Sequence, residues 1–165
     1  MSLETVRDFF ARHAPDIEII ELGDSTATVA PAAAGHGVAQ GQIAKTLSLK
    51  VQDRNFLVVT RGDARLDNKK AKARFGGKVT MLGPDEVLAI TGHAVGGVCP
   101  FGLASPLPVF CDVSLKDFGE VVPAAGSTHS AVRISPARMA ELVKAEWVDV
   151  CKPPGEHSAE GGIYA

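Results

Sequence analysis

The stretch that most restricts the possible folds is residues 43–51. Ile43, Lys45, Leu47, Leu49 and Val51 occupy alternate positions, with Ala44, Thr46, Ser48 and Lys50 between them. Side chains of a strand point to opposite faces in turn, so this period of two predicts a strand. Phe56 to Thr60 is a second, continuous β-prone run. Gln52-Asp53-Arg54-Asn55 between them has turn composition. Together they read as a hairpin closed by a short polar loop.

The alternation also makes Lys45 conspicuous, because it falls on the apolar side. Burying an unpaired ammonium costs several kcal/mol or shifts its pKa. A lysine at such a position faces a cleft and an anion, or else extends its stem along apolar surface into water.

Around the hairpin the chain punctuates itself. Residues 2–13 predict an amphipathic helix capped by Ser2, with Leu3, Val6, Phe9 and Phe10 on one face. Thr26 to Ala30 predicts a short strand, followed by a loop over residues 31–37. Asp67 caps a helix over residues 67–75, stopped by Gly76-Gly77. Val79 to Leu82 predicts a brief strand, and Pro84 opens a helix that ends at Gly92. After a Gly/Pro-rich stretch, Val109 to Val113 reads as a strand and Ser114 caps a short helix through Phe118. Val121-Val122 and a final strand, Ala131 to Ile134, precede a helix opened by Ser135-Pro136. Strands and short helices interleave without a regular βαβ rhythm. The expected class is mixed α+β with a curved, barrel-like sheet flanked by helices. Residues 1–150 form one expected domain, and 151–165 a polar, loosely held C-terminal tail.

Composition narrows the function classes. The 165 residues are 45% hydrophobic and 22% charged, which supports one buried core and argues against disorder. No apolar run approaches the ~18–20 residues of a membrane span, and the N-terminus lacks a signal-peptide pattern. A cytoplasmic protein without a membrane partner is expected. Cys99, Cys111 and Cys151 do not form a disulfide framework, and no spacing suggests a metal site. The net charge of −2 excludes a generally basic surface. The segment from Arg61 to Lys78 differs. It holds Arg61, Arg65, Lys69, Lys70, Lys72, Arg74 and Lys78 against Asp63 and Asp67, a local +5, so the remainder carries −7. This asymmetry suggests a phosphate-facing patch, although a solvated helix face would look the same.

Two loops could carry chemistry. Residues 91–102, Thr-Gly-His-Ala-Val-Gly-Gly-Val-Cys-Pro-Phe-Gly, bring glycines whose N–H groups can approach a ligand closely. The pattern is neither a P-loop nor a dinucleotide fingerprint. Cys99 with His93 or His129 as base is a conceivable nucleophile pair, but the spacing is ordinary. Thr128, His129 and Ser130 form a polar loop that could line a pocket.

Taken together, these strings resemble the YbaK/ProX family of aminoacyl-tRNA deacylases, related to the editing insertion of bacterial prolyl-tRNA synthetase. The matching residues are Gly41-Gln42-Ile43-Ala44-Lys45-Thr46-Leu47, Arg61-Gly62-Asp63-Ala64-Arg65-Leu66-Asp67, and Thr91-Gly92 with Gly96 through Gly102. Asp112 and Ala125-Gly126 also fit, and the likeness covers roughly residues 25–145. The resemblance implies hydrolysis of the ester joining a mischarged small amino acid to the tRNA 3′ adenosine. It implies that Lys45 holds the terminal nucleotide's phosphate or ribose. It implies that the backbone of Gly96, Gly97 and Pro100 positions the carbonyl and the attacking water. It matches His129 to a pocket residue of some members; Thr128 and Ser130 beside it are expected to make that pocket partly polar, and the +5 segment, with Arg61, Arg65, Lys69, Lys70 and Lys72, is expected to face the acceptor stem of tRNA. No cofactor is implied. The expected partners are an aminoacyl-tRNA and an aminoacyl-tRNA synthetase, with monomer and homodimer both open. The competing reading is a non-catalytic tRNA- or nucleotide-binding module on the same fold.

Overall fold

The computed structural model describes residues 2–23 and 25–152. In chain order the elements are α1 (Ser2–His13), β1 (Ile20–Glu21), α2 (Val29–His36), β2 (Ile43–Val51), β3 (Arg54–Arg61) and β4 (Arg65–Leu66). They continue with α3 (Asn68–Phe75), β5 (Thr80–Met81), α4 (Pro84–Thr91), β6 (Val109–Asp112), β7 (Val122–Pro123) and β8 (Ser130–Ala131). The last three are α5 (Pro136–Val143), β9 (Glu146–Val148) and β10 (Cys151–Lys152).

The predicted hairpin is the centre of the molecule. β2 and β3 pair antiparallel, with Lys45 opposite Thr60 and Lys50 opposite Asn55. β6 adds to β3 and β9 to β6, both parallel, giving the order β5-β2-β3-β6-β9. Two short strands share the other edge of β2. β5 covers Leu49 and Lys50 antiparallel, and β7 covers Ile43 and Ala44 parallel. Among the described residues no strand covers 45–47 there, so the edge opens beside Lys45. The class is mixed α+β, as the sequence predicts. The strand order does not close on itself among the described residues.

Both faces of β2 are covered. On the Lys45 side, Leu49, Val51, Phe56 and Val58 pack against Ala71 and Phe75 of α3 and against Val148 and Val150. Asp67 caps α3 by accepting from the N–H groups of Lys69 and Lys70, which satisfies two otherwise unpaired donors. On the opposite side, Ala44, Leu57 and Val59 meet Val6 and Phe10 of α1, Cys99, Phe101 and Met139 of α5. The rings of Phe10 and Phe101 lie 4.7 Å apart between their centroids. Each such buried side chain contributes about 1.5–3 kcal/mol by removing apolar surface from water. Thr46 and Ser48 also face this side, fully buried, and their hydroxyls have no hydrogen-bond partner among the described residues.

Several local expectations are corrected. The stretch read as a strand over 26–30 and a loop over 31–37 is mostly α2. Pro31 sits in the first turn, where a helix lacks N–H acceptors anyway, and three alanines follow. Gly37, at φ 68°, then closes the helix in a left-handed conformation. Ser114 does not cap the turn after β6. Asp112 does, accepting from Ser114 N at 2.9 Å while its other oxygen accepts from Val150 N at 2.8 Å. Ser2 is inside α1, and its hydroxyl bonds the ring of His93. The final strand expected over Ala131 to Ile134 is β8 at Ser130–Ala131 instead, and it is not the last, because β9 and β10 follow α5. β10 pairs with β4, which carries ordered chain two residues past Val150, where the sequence places the start of a tail. Residues 153–165 of that expected tail lie outside the described residues.

Candidate active site

β2 places the side chain of Lys45 on its inner face, where it is only 7% exposed. Its Nζ donates to the carbonyl oxygen of Ala64 at 2.6 Å. Among the described residues no carboxylate lies within ion-pair distance of it. Burial holds its pKa below the usual lysine value, opposed in part by Cys151 and Asp63 and reinforced by Arg65. The ammonium is therefore held inside the fold and does not extend along the surface into water.

A cleft of about 320 Å³ opens over this face. Lys45, Leu47 and Leu49 form its floor. Arg65, Leu66 and Asn68 form one wall, and Val79, Thr80 and Met81 the other. Its chemistry is mixed: an aliphatic floor beside a buried cation, and walls in which Leu66, Val79 and Met81 alternate with Arg65, Asn68 and Thr80. Such a lining suits an organic anion with a flat or apolar portion.

At the same end of β2, β7 leads from Pro123, opposite Ala44, into the loop of residues 124–130. That loop interlocks with the glycine loop. Gly126 N donates to Gly97 O at 3.0 Å, and Gly97 N donates to Ala94 O at 3.0 Å. The approach leaves no room for side chains. A Cβ on Gly97 would lie 2.7 Å from Ser127 N, and one on Gly96, where φ is +100°, would lie 2.9 Å from Thr128 Cγ2. The structure thus brings Gly96, Gly97 and Thr128 together. Pro100 is buried further along the same loop. Ser130 is fully buried and shares a 2.6 Å hydrogen bond with Ser127, while His129 is exposed and its Nδ1 pairs with Thr128 Oγ1 at 2.8 Å.

Cys99 stands in this loop but not as a nucleophile. It is fully buried, and burial pushes its thiol up to about 12. Phe101 O accepts from His93 Nε2 at 2.7 Å, so His93 carries its proton there and accepts from Ser2 on the other nitrogen. Its Nε2, 3.6 Å from Cys99 Sγ, is not free to act as a base. Burial also holds the His93 pKa down.

The cations of the +5 segment fall into two groups. Arg61 is committed to Asp63, at 2.5 and 2.8 Å, to Asp117 at 2.8 Å, and to the ring of Phe118. Lys70 pairs with Asp149 and Cys151 O, and Arg74 with Glu146. Arg65, Lys69, Lys72 and Lys78 are exposed and have no anionic partner among the described residues. Arg65 lies on the cleft, and α3 carries Lys69 and Lys72 away from it. Sequence reasoning missed the Ala64 carbonyl that holds Lys45, the approach of Cys151, and the Met81 wall. Only Met81 left a signal, an apolar residue in a predicted brief strand.

Comparison with known proteins identifies the family of the fold. The aminoacyl-tRNA editing domain profile matches residues 24–142. The "Uncharacterized protein YwhH" of Bacillus subtilis is 47% identical over 154 residues, covering 92% of this chain and 98% of its own. The "Putative Cys-tRNA(Pro)/Cys-tRNA(Cys) deacylase EbsC" of Enterococcus faecalis is 27% identical over 116 residues, covering 69% and 71%. A proline–tRNA ligase of Bacillus licheniformis is 30% identical over 105 residues, 63% of this chain but 18% of the ligase. A solved structure described as "Crystal structure of a putative trans-editing enzyme for prolyl tRNA synthetase" superposes with a TM-score of 0.85 at 32% identity, covering 92% of this chain and 98% of that one.

Proposed function

The chain belongs to the aminoacyl-tRNA editing domain family, and on that premise we propose that it is a trans-editing aminoacyl-tRNA deacylase. It hydrolyses the ester of a mischarged small amino acid on tRNA through a positioned water, without a covalent intermediate. The observation that carries this reading is the placement of two features at one end of β2. One is the buried ammonium of Lys45 beneath an open cleft. The other is the glycine loop locked against residues 126–128.

An aminoacyl ester is already activated, so orientation and a few donors suffice. Lys45 offers its charge to the phosphate or ribose of the terminal nucleotide. The backbone from Gly96 to Pro100 orients the ester carbonyl and a water. The water oxygen forms a bond to the carbonyl carbon, the carbon–oxygen bond to the ribose breaks, and the ribose oxygen takes up a proton. Thr128, His129 and Ser130 bound the amino-acid pocket. Arg65, Lys69 and Lys72 follow the acceptor stem, while Arg61 and Lys70 serve chiefly to brace the fold. The inert thiol of Cys99 supports direct attack by water.

The partners are an aminoacyl-tRNA and the synthetase whose product is cleared, and the likeness to proline–tRNA ligases supports the second. Among the described residues no helix is long and apolar enough to cross a membrane. A cytoplasmic location is part of this proposal, since a deacylase clearing a synthetase's product acts where that product is made.

Single-turnover deacylation of tRNAs carrying alanine, serine, threonine, cysteine or proline tests the reading. Release of one amino acid by the wild type, lost in Lys45→Ala, is expected. Binding of tRNA that needs Lys45, with no release anywhere, would establish the non-catalytic module instead.

A further inference from the structure

Two strings singled out in the sequence, Gly41-Gln42 and Arg61-Gly62-Asp63, meet outside the cleft and take no part in the proposed chemistry. The chain turns from β3 into β4 over Arg61–Ala64, with Ala64 N donating to Arg61 O at 3.2 Å. The carbonyl at the end of this turn is the one that accepts from Lys45 Nζ. A Cβ on Gly62 would lie 2.4 Å from Gln40 O, so the turn is pressed against the chain entering β2. Backbone bonds hold the turn only at long range, 3.2 Å within it and 3.4 Å from Arg61 N to Ser114 Oγ. The Arg61 guanidinium supplies the short ones. Its Nε and Nη2 donate to the two oxygens of Asp63 at 2.5 and 2.8 Å, and its Nη1 donates to Asp117 at 2.8 Å. Forked, charge-assisted bonds of this kind are roughly twice as strong as neutral ones. The Phe118 ring centroid lies 4.8 Å from Arg61 Cζ. Gly41 leaves room for both groups, since a Cβ there would lie 2.6 Å from Arg61 Nη2 and 2.7 Å from Phe118 Cζ.

We propose that Arg61 is a positioning residue for Lys45: seated against Gly41 and Phe118, it ties Asp63 to Asp117 and so fixes the turn whose carbonyl holds the ammonium beneath the cleft. Lysine has a long, flexible stem, and this ammonium has one hydrogen bond among the described residues. A buried ammonium without an acceptor is costly, so Nζ follows the Ala64 carbonyl wherever the turn places it. On its C-terminal side Ala64 is anchored by the pairing of β4 with β10. On its N-terminal side the Arg61 fork is the strongest tie. All three guanidinium nitrogens are engaged within the chain, so Arg61 acts through Lys45 and not on the substrate. Its effect falls on substrate binding, because Lys45 serves the phosphate or ribose and not the scissile ester. That last step rests on the deacylase reading, whereas the link from Arg61 to Lys45 is read from the geometry alone.

Lys45 can be followed without substrate. Protein labelled with ¹³C at the lysine Cε gives its titration by NMR, the signal being assigned by its loss in Lys45→Met. In the wild type the midpoint should lie below the ordinary 10.5. Arg61→Met should bring it up toward that value as the ammonium slips into water. The same variant should raise KM for aminoacyl-tRNA roughly tenfold, with kcat within about threefold. Gly41→Ala drives the guanidinium off its seat and should move both readouts the same way, which carries the test should Arg61→Met fail to fold. Arg61→Lys keeps a cation without the fork and should fall between the wild type and Arg61→Met. Arg138→Met, which breaks an equally forked bond to Asp16, should leave the Lys45 titration and KM where they are. Added to Lys45→Ala, Arg61→Met should weaken tRNA binding no further. A lower melting temperature with the Lys45 titration and KM unmoved would overturn the proposal and leave Arg61 a brace. Further loss of tRNA binding in the Lys45→Ala background would overturn it in favour of direct contact with RNA. A moved titration without deacylation of any tRNA would uphold the positioning and overturn only the deacylase reading.

Discussion

Replacing Lys45 by methionine should make the protein more stable while abolishing its activity. The ammonium is 7% exposed and makes one hydrogen bond, to Ala64 O at 2.6 Å. Removing a charged group from water carries an effective penalty of several kcal/mol. A hydrogen bond from a charged donor returns about 1.5–3 kcal/mol. Methionine keeps the unbranched stem and adds apolar burial of roughly 1 kcal/mol, against about 1 kcal/mol for an Ala64 carbonyl left without its donor. The balance favours Lys45→Met by about 2 kcal/mol, which in a chain of this size raises Tm by roughly 4–8 °C. Thermal and urea unfolding at neutral pH measure it. The pH dependence supplies an independent check. Because burial lowers the folded pKa below 10.5, the unfolded chain binds more protons than the folded one between the lowered value and 10.5. Wild-type stability therefore rises as pH increases through that window, and the advantage of Lys45→Met shrinks. A variant less stable than wild type, or a difference that ignores pH, would refute the reasoning and make Lys45 a structural residue.

Gly97→Ala places a Cβ 2.7 Å from Ser127 N, so the two loops must separate. Overpacking and the strained Gly126–Gly97 bond should cost about 2–4 kcal/mol. Gly119→Ala, with nothing within 4 Å, should melt within about 2 °C of wild type. Cys99→Ala should keep deacylation within about threefold, since a thiol near 12 is no nucleophile at neutral pH, and a hundredfold loss would restore the thiol mechanism. His93 has a folded pKa held below 6.5, so stability should fall as pH drops from 6.5 through the lowered value. Urea midpoints of His93→Gln should fall less between pH 7 and 5 than those of wild type. Neutralising Lys69 and Lys72 together should weaken tRNA binding and lower the slope of log K against log salt by roughly 1.5–2, a change Lys144→Gln should not produce.

How much of this was readable from the residues depended on how local the cause was. The hairpin, α3, α4 and α5 carry their own signals: alternation, an Asp67 cap, Pro84 and Gly92, Ser135-Pro136. Parity put Lys45 on the apolar side of β2 but left open whether it is buried or reaches into water, which the Ala64 carbonyl decides. Parity does not reveal that the other face of β2 is also covered, or that Thr46 and Ser48 are sealed beneath it. Strands of two residues have no period to detect, so β1 and β10 were missed and the partners of β5 and β7 could not be assigned. α2 was misread because a proline in a first turn looks like a loop until the helix has something to pack on. The division of the cations into free and committed groups depends on acids far away in sequence, Asp117, Glu146 and Asp149.

The pairing of β10 with β4 sets a clock on synthesis. Arg65 and Leu66 bound the cleft, the Ala64 carbonyl just before them holds Lys45, and their strand partner, Cys151–Lys152, lies 87 residues further on for the Arg65–Lys152 pair. Asp112 adds a second late tie through Val150 N. At roughly 5–20 residues per second, a ribosome needs about 4–17 s after making one wall of the cleft to make the strand that holds it. A growing chain can form the hairpin in that interval, but it cannot present a finished site to tRNA until residue 152 has cleared the exit tunnel.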